Sequence, residues 1–339
     1  MAVLTDYMER KLLDHIFGQA AFTRPNGLYL GLSASAFADS DNGTTASAKE
    51  PSGNYARVRI DNISEYNTSN HDIRNTSSID FNEASGSWGD VEYWGIFDGT
   101  GSSANMLMHG SFSAATTVSS GDQFRISTGD LEINFPSAIY VGANSTYTDN
   151  HSEGTTDHYV KAKWRYHIAY ALGFLSSYSN LAADEKFLFY SSAVSGSYSD
   201  SSRNHHTNLY LAVRTSAFPT SGLTGSEISQ SGTNYARVNI LSAYDSSIDY
   251  FSAATTSSGT TSISNDKVIQ FQEATSSWGN ISHFAIFRGD TLMHSADERV
   301  SNQATSMYPL ISGALTSTKT VGSGDRLRFG IGDLVITAS

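Results

Sequence analysis

Two short formulas in this chain place an acid and a base at a fixed spacing, and both occur twice. Asp122 and Arg125 stand in SGDQFR from Ser120, and Asp325 and Arg328 stand in SGDRLR from Ser323. A carboxylate and a guanidinium so placed could orient a polar ligand. The same residues also make a turn running into a strand, with Gly121 or Gly324 permitting the turn and the aspartate accepting from nearby amides. A repeated motif of this kind sets fold geometry, and that reading is adopted. Glu83 precedes Trp88, and Glu273 precedes Trp278, at one spacing. An exposed indole beside a carboxylate suits a sugar ring. The favoured reading is a Trp closing one end of an aromatic core, its Glu paired to Arg57 or Arg237. A buried pair of that kind leaves no free general acid.

The remaining candidates are weaker. His109 and His294 each end an LMH triplet, where a lone His on a strand is more often a half-buried hydrogen-bonding group than a ligand. Metal binding needs companions at short spacing, and there are none. His205 and His206 are adjacent, so they point apart on an extended chain and read as a solvated loop. Asp39-Ser40-Asp41-Asn42-Gly43, with Glu50 further on, loosely resembles a calcium loop, but Thr44 stands where that loop needs glycine. An ordinary turn is the better reading. Lys161, Lys163 and Arg165 flank Trp164 in the chain's one basic cluster. It is a solvated helix face or a docking point for an acidic partner. No phosphate loop, nucleophile elbow, paired-His motif or Cys–His pair appears. Carboxylate pairs for glycoside hydrolysis converge only in three dimensions, and nothing in the sequence selects one. No catalytic, cofactor or metal residue is therefore assigned, and the protein is expected not to be an enzyme.

Composition bounds the partners. The 339 residues carry a net charge of −12, so phosphate binding by clustered Lys and Arg, and with it a nucleic-acid role, is not expected. There is no cysteine, hence no disulfide or thiolate site. Asp6 and Glu9 interrupt the first residues, which therefore do not read as a signal peptide, and no apolar run spans a bilayer. A cytoplasmic origin and no membrane partner are expected. Apolar residues make up 39%, yet Tyr and Phe number 18 and 17, which points to an aromatic, β-branched core built in sheets.

These candidates sit in a duplicated chain. GNYARVRI around Tyr55 returns as TNYARVNI around Tyr235. FNEASGSWG returns as FQEATSSWG, GIFDG as AIFRG, LMH as LMH, and SGDQFRISTGDLEI as SGDRLRFGIGDLVI. Matching blocks in one order mean one fold, present twice. The offset widens along the chain, which places insertions in loops. Val3–Gln19 reads as a helix capped by Thr5 and stopped near Gly18, with Asp6 and Glu9 at its positive end. Strands are predicted at Leu28–Leu32, Tyr55–Ile60, Ser78–Phe81, Val91–Phe97, Met106–Ser111, Gln123–Ser127 and Leu131–Phe135. The second set is Leu209–Val213, Tyr235–Leu241, Val268–Phe271, Ile281–Phe287, Leu292–Ser295, Arg326–Gly330 and Leu334–Thr337. The fold class is mainly β: two homologous antiparallel β-sandwich, jelly-roll-like domains with one N-terminal helix and a helical insertion between them. The domains are 1–135, a partly helical connection 136–206, and 207–339. Within the connection, Asp157–Leu175 has helical spacing, and Glu185–Leu188 resembles Glu9–Leu12. Either could be the second copy's helix.

The ordered set DYMERKLLDHIFG, NGLYLGLSAS, NYARVRI, SWGDVEYWGIFD, LMHGSF and SGDQFRISTGDLEI resembles small tailed-phage virion proteins commonly labelled tail-fibre proteins. The resemblance covers residues 3–135 and roughly 181–338, and this chain departs from it by the duplication and the insertion. It implies a structural protein on the virion exterior. Heptads, collagen triplets and β-helical repeats of long fibres are absent, so the leading expectation is a capsid decoration or cement protein that clamps the major capsid protein. The alternative is a tail-fibre or baseplate-associated protein held by tail proteins and binding a host surface glycan. A polysaccharide depolymerase is the distant third. A homo-oligomer is expected, a trimer favoured. The residues expected to determine the fold are Tyr55, Arg57, Glu83, Trp88, Asp122 and Arg125, with Tyr235, Arg237, Glu273, Trp278, Asp325 and Arg328. Lys161, Lys163, Trp164 and Arg165 are the expected docking residues.

Overall fold

A computed structural model describes residues 3–20, 22–60, 63, 72–134, 208–217, 227–241, 247–289 and 311–338. The fold is mainly β, and the strands pair antiparallel, as the short apolar runs between Gly/Ser/Asp turns predict. The chain divides into two units. Of the described residues, the first holds 3–11 and 22–134, and the second holds 12–20 and everything from 208 onward.

The first copy runs β1 (Val3–Leu4), α1 (Asp6–Ile16), β2 (Tyr29–Ser33), α2 (Gly43–Ser47), β3 (Val58–Arg59), β4 (Asp72–Arg74), β5 (Ile79–Glu83), β6 (Gly89–Phe97), β7 (Met106–Val118), β8 (Gln123–Ile126) and β9 (Glu132–Asn134). Its main sheet has the order β1-β7-β6-β2-β3, accompanied by the pairs β5-β8 and β4-β9. Phe112 of β7 meets Phe124 of β8 at 5.9 Å between ring centroids, and Phe124 meets Phe81 of β5 at 5.8 Å. Aromatic side chains thus join the main sheet to the β5-β8 pair.

The second copy runs β10 (Asn208–Arg214), β11 (Val238–Leu241), β12 (Thr255–Ser257), β13 (Thr260–Ser264), β14 (Ile269–Glu273), β15 (Gly279–Gly289), β16 (Ile311–Val321), β17 (Arg326–Phe329) and β18 (Val335–Ala338). Its sheet β11-β10-β15-β16 is accompanied by β14-β17 and by β12-β13-β18. Leu30 pairs with Ile96 across β2 and β6, and Leu211 pairs with Ile286 across β10 and β15. The same ladder is therefore built twice.

Several expectations shift. The helix begins at Asp6 rather than Val3, because Val3 and Leu4 pair with His109 and Met108 of β7. Thr5 is the pivot: its Oγ1 donates to Met106 O at 2.6 Å and accepts from Met8 N at 3.3 Å. Residues 12–20 pack within the second unit. Phe17 lies 4.4 Å from Phe251 between ring centroids, and Ala254 N donates to Asp14 Oδ1 at 2.7 Å. Of Tyr55–Ile60 only Val58 and Arg59 form a strand. There Arg57 is buried and Ala56 exposed, so polar Tyr55 and Arg57 turn inward where alternation alone would favour the apolar face. Strands β4, β12, β13 and β16 were not expected; they are short or rich in Thr and Ser, and pairing rather than apolarity makes them strands. Leu292–Ser295 and the whole 136–206 connection lie outside the described residues.

Candidate functional site

The residues repeated between the copies converge on one polar cluster in each unit, its ion pair buried in the first and half-buried in the second. In the first, Glu50 follows the short helix α2. Its Oε1 accepts from Tyr55 Oη at 3.0 Å and from Arg57 Nε at 2.8 Å, and its Oε2 accepts from Arg57 Nη2 at 2.9 Å. The Arg57 guanidinium lies 3.5 Å above the Phe97 ring. Tyr55 Oη in turn accepts from Leu32 N of β2 at 2.6 Å. In the second unit Glu227 takes the part of Glu50. Its Oε1 accepts from Tyr235 Oη at 3.1 Å and Arg237 Nε at 2.9 Å, and its Oε2 accepts from Arg237 Nη2 at 2.8 Å. Arg237 lies 3.7 Å above Phe287, and Val213 N donates to Tyr235 Oη at 3.0 Å. A bidentate guanidinium–carboxylate pair on an aromatic face is strong and geometrically exacting. Burial, and then the neighbouring carboxylate, push both tyrosine hydroxyls above their ordinary range, so they stay protonated donors.

This corrects the expected pairing. Arg57 and Arg237 pair with Glu50 and Glu227, not with Glu83 and Glu273. Glu83 is exposed, and what the cluster's neighbourhood uses is its carbonyl, which accepts from Asn54 Nδ2 at 3.0 Å. Asn234 does the same to Glu273 O at 2.9 Å. Both asparagines adopt positive φ, at 62° and 56°, which Asn tolerates better than most residues. The Glu273 side chain meets Arg326 at 3.1 Å in the open.

Trp88 and Trp278 are each 4% exposed. Trp88 Nε1 donates to Gly53 O at 3.2 Å and Trp278 Nε1 to Thr233 O at 2.9 Å. Each indole stands edge-on to the cluster tyrosine, with ring centroids 5.4 Å apart for Tyr55 and 5.3 Å for Tyr235. Neither is open to a sugar. Asp122 Oδ2 accepts from Ser119 N at 2.8 Å, and Asp325 Oδ2 from Gly322 N at 2.7 Å, each closing a turn whose glycine has φ of 90° or 88°. Arg125 pairs across the strands with exposed Asp80. Arg328 faces Gln270 in the same register.

A second duplicated device carried no motif. Asn75 and Asn265 are 1% and 0% exposed. Asn75 Nδ2 donates to Ser77 O and Ser127 O, both at 2.7 Å, and its Oδ1 accepts from Leu131 N at 2.9 Å. Asn265 repeats this with Lys267 O at 2.8 Å, Gly330 O at 2.7 Å and Leu334 N at 2.8 Å. An Asn four residues before Ile79 and before Ile269 was the available signal.

The acids of the calcium-like loop go separate ways. Asp39 Oδ1 lies 2.8 Å from His109 Nε2. Asp41 Oδ2 accepts from Ala38 N at 2.7 Å and Lys49 Nζ at 2.5 Å. Asn42 Oδ1 accepts from Thr44 N at 2.9 Å and caps α2, while Thr45 Oγ1 accepts from Asn42 N at 2.9 Å. Among the described residues no three acidic or His side chains gather as a metal site. Among the same residues, no helix is long and apolar enough to cross a membrane. His205, His206, His294, Lys161, Lys163, Trp164 and Arg165 lie outside the described residues.

The copies differ beside the cluster. Ser33 of β2 matches Arg214 of β10, a guanidinium that is 1% exposed. His283 faces Arg214 across the ladder. Burial, and then the Arg214 charge, hold the His283 pKa below its ordinary 6.5. As pH falls the unfolded chain therefore takes up this proton first. The contribution is intact above about 6.5 and is lost as pH drops from there towards the lower folded value. Tyr93 stands at the matching place in the first unit, so His283→Tyr is expected to shrink the fall in Tm between about pH 7.5 and about pH 5.5. An unchanged fall would show that His283 does not titrate on unfolding.

Two antiparallel β units built on one buried polar plan define a duplicated structural protein whose individuality lies at its surface. The chain belongs to the family described as Podophage GP4 fiber I protein gp80, which matches residues 3–134 and 200–337. The two matched stretches are the two repeated parts. It is a structural protein of a tailed-phage virion. No curated protein matches the chain.

Proposed function

We propose that this protein is a fibre component of a podophage tail, exposed on the particle, and that it binds a host surface glycan without altering it. The observation that carries this reading is the fibre family's match to both repeats. It favours the fibre alternative over the capsid cement first expected from the compact shape of the repeats. The buried clusters support a role without catalysis, since every acid in them is committed to an Arg, a Tyr or a backbone amide. Adhesion would then fall to surface positions where the copies differ. Its partners would be tail proteins of the same virion and the host glycan, with the chain assembled as a homo-oligomer, a trimer favoured.

Gold-labelled antibody against the protein, applied to intact virions and viewed by electron microscopy, tests it. Gold confined to the tail is the expected result. Gold distributed over the head would overturn the fibre reading and restore capsid decoration.

A further inference from the structure

We infer that the second unit carries a binding site for an anionic saccharide, in the concavity between the end of β16, strand β17 and the turn before β18; this rests on the fibre reading and gives its ligand a chemistry. The concavity is open, about 640 Å³, and its lining includes Thr318, Lys319, Asp325, Arg326, Arg328 and Asp333.

The comparison between the copies singles it out. In the first unit Arg125 is paired with Asp80 across β8 and β5. In the second, Arg328 faces Gln270, so the guanidinium is kept and its carboxylate partner is replaced by an amide. The ladder position held by Thr116, opposite Val91, is held by Lys319, opposite Ile281. Among the described residues Lys319 and Arg328 make no ion pair, and both are exposed. Gln123 is likewise replaced by Arg326, whose charge is shared with Glu273 at 3.1 Å. The buried Tyr–Glu–Arg, Trp and Asn devices are the same in both units. The fold therefore does not require these added cations.

A chain of net charge −12 repels polyanions except where it presents cations locally. Here the two lining acids are already turned to the backbone. Asp325 Oδ2 accepts from Gly322 N and Asp333 Oδ2 from Gly330 N, both at 2.7 Å. Their remaining lone pairs can accept sugar hydroxyls. The Arg328 fork and the Lys319 ammonium suit a carboxylate or phosphate, Arg by paired hydrogen bonds and Lys as a point charge. The lining also includes Val321 and Leu327, and Ile331, next in sequence to the lining residue Gly330, is 67% exposed where the first unit has Thr128. A few convergent polar groups with an apolar flank are what a saccharide site needs.

The test is binding of the full chain to polygalacturonate, to phosphomannan and to neutral dextran, with the K319Q/R328Q double variant alongside. The wild-type chain is expected to bind at least one anionic polymer and not dextran, more weakly as salt rises. The double variant should bind at least about tenfold more weakly, since hydrogen bonds to charged groups each carry that order of effect. Its Tm should be unchanged. Binding to polygalacturonate alone would identify a uronate site, and binding to phosphomannan alone a sugar-phosphate site. Arg125→Gln in the first unit should leave binding intact. Equal binding by the double variant, no binding of either anionic polymer, or equal binding of dextran would overturn the site. The gold label reads the fibre assignment separately: tail labelling without polymer binding removes this site only, and head labelling with polymer binding removes the fibre reading only.

Discussion

Glu50→Ala is expected to destabilise the first unit by about 3–5 kcal/mol, the cost of stranding a buried charge. The Arg57 and Glu50 side chains are 2% and 6% exposed. Without Glu50, Arg57 keeps the Phe97 ring and only longer hydrogen bonds, to Gly99 O and Gly101 O at 3.3 Å and to Gly43 O and Ser47 Oγ at 3.4 Å. Tyr55 also loses its acceptor. Pairing Glu50→Ala with Arg57→Met should recover part of the loss, because it removes the unpaired guanidinium. Full recovery is not expected, since those carbonyls then lose their donor. Glu227→Ala should cost more than Glu50→Ala, because Glu227 offsets the charge of buried Arg214 as well as pairing with Arg237. Denaturation of each variant, with hydrogen exchange at the Leu32 and Val213 amides, reads the two units separately. Equal losses would mean that Arg214 does not depend on Glu227. A loss below about 1 kcal/mol for Glu50→Ala would mean the pair behaves as a surface pair.

Trp278→Ala should destabilise the second unit by about 3–5 kcal/mol, as large-to-small aromatic substitutions in a core do. The indole fills the space beside Tyr235 and Phe271, with ring centroids 5.3 and 6.2 Å away. It also holds Thr233 O, in the turn that leads into the cluster. Trp278→Phe keeps part of the ring packing but gives up that hydrogen bond, and should cost roughly half as much. If the alanine and phenylalanine variants lose the same stability, the carbonyl bond rather than the packing is what matters at this position. If adsorption is lost while the fold is kept, the Trp would be a ligand contact, contrary to its burial.

Duplication, the antiparallel mainly β class and most strands were legible in the sequence, because alternation and turn residues act locally. The SGD turns were legible for the same reason: Ser119 and Asp122 bond to each other within the turn, whereas the bond from Gly121 N to Ala84 O is a tertiary contact that no local signal announced. The burial of Trp88 and Trp278 followed from their type. The partner of Arg57 did not follow. Glu83 and Glu50 are both plausible by charge, and only the path of α2 brings Glu50 to the guanidinium while β5 turns Glu83 outward. Alternation likewise puts Tyr55, Arg57 and Arg59 on one face, yet Tyr55 and Arg57 turn inward while Arg59 is exposed and Ile60 buried. The tertiary structure buries the Tyr and Arg because Glu50 neutralises the charge and Phe97 covers it. The burial of Asn75 and Asn265 was not legible for a related reason, since apart from the carbonyl two residues on, the carbonyl and the amide that saturate each side chain lie far along the chain. The Thr-rich β16 became a strand only because β15 offers it a ladder. Sequence alone thus determined the repeated elements, whose signals lie within a few residues. Tertiary structure decided which charges meet, because those pairings join segments that only the packed sheets bring together.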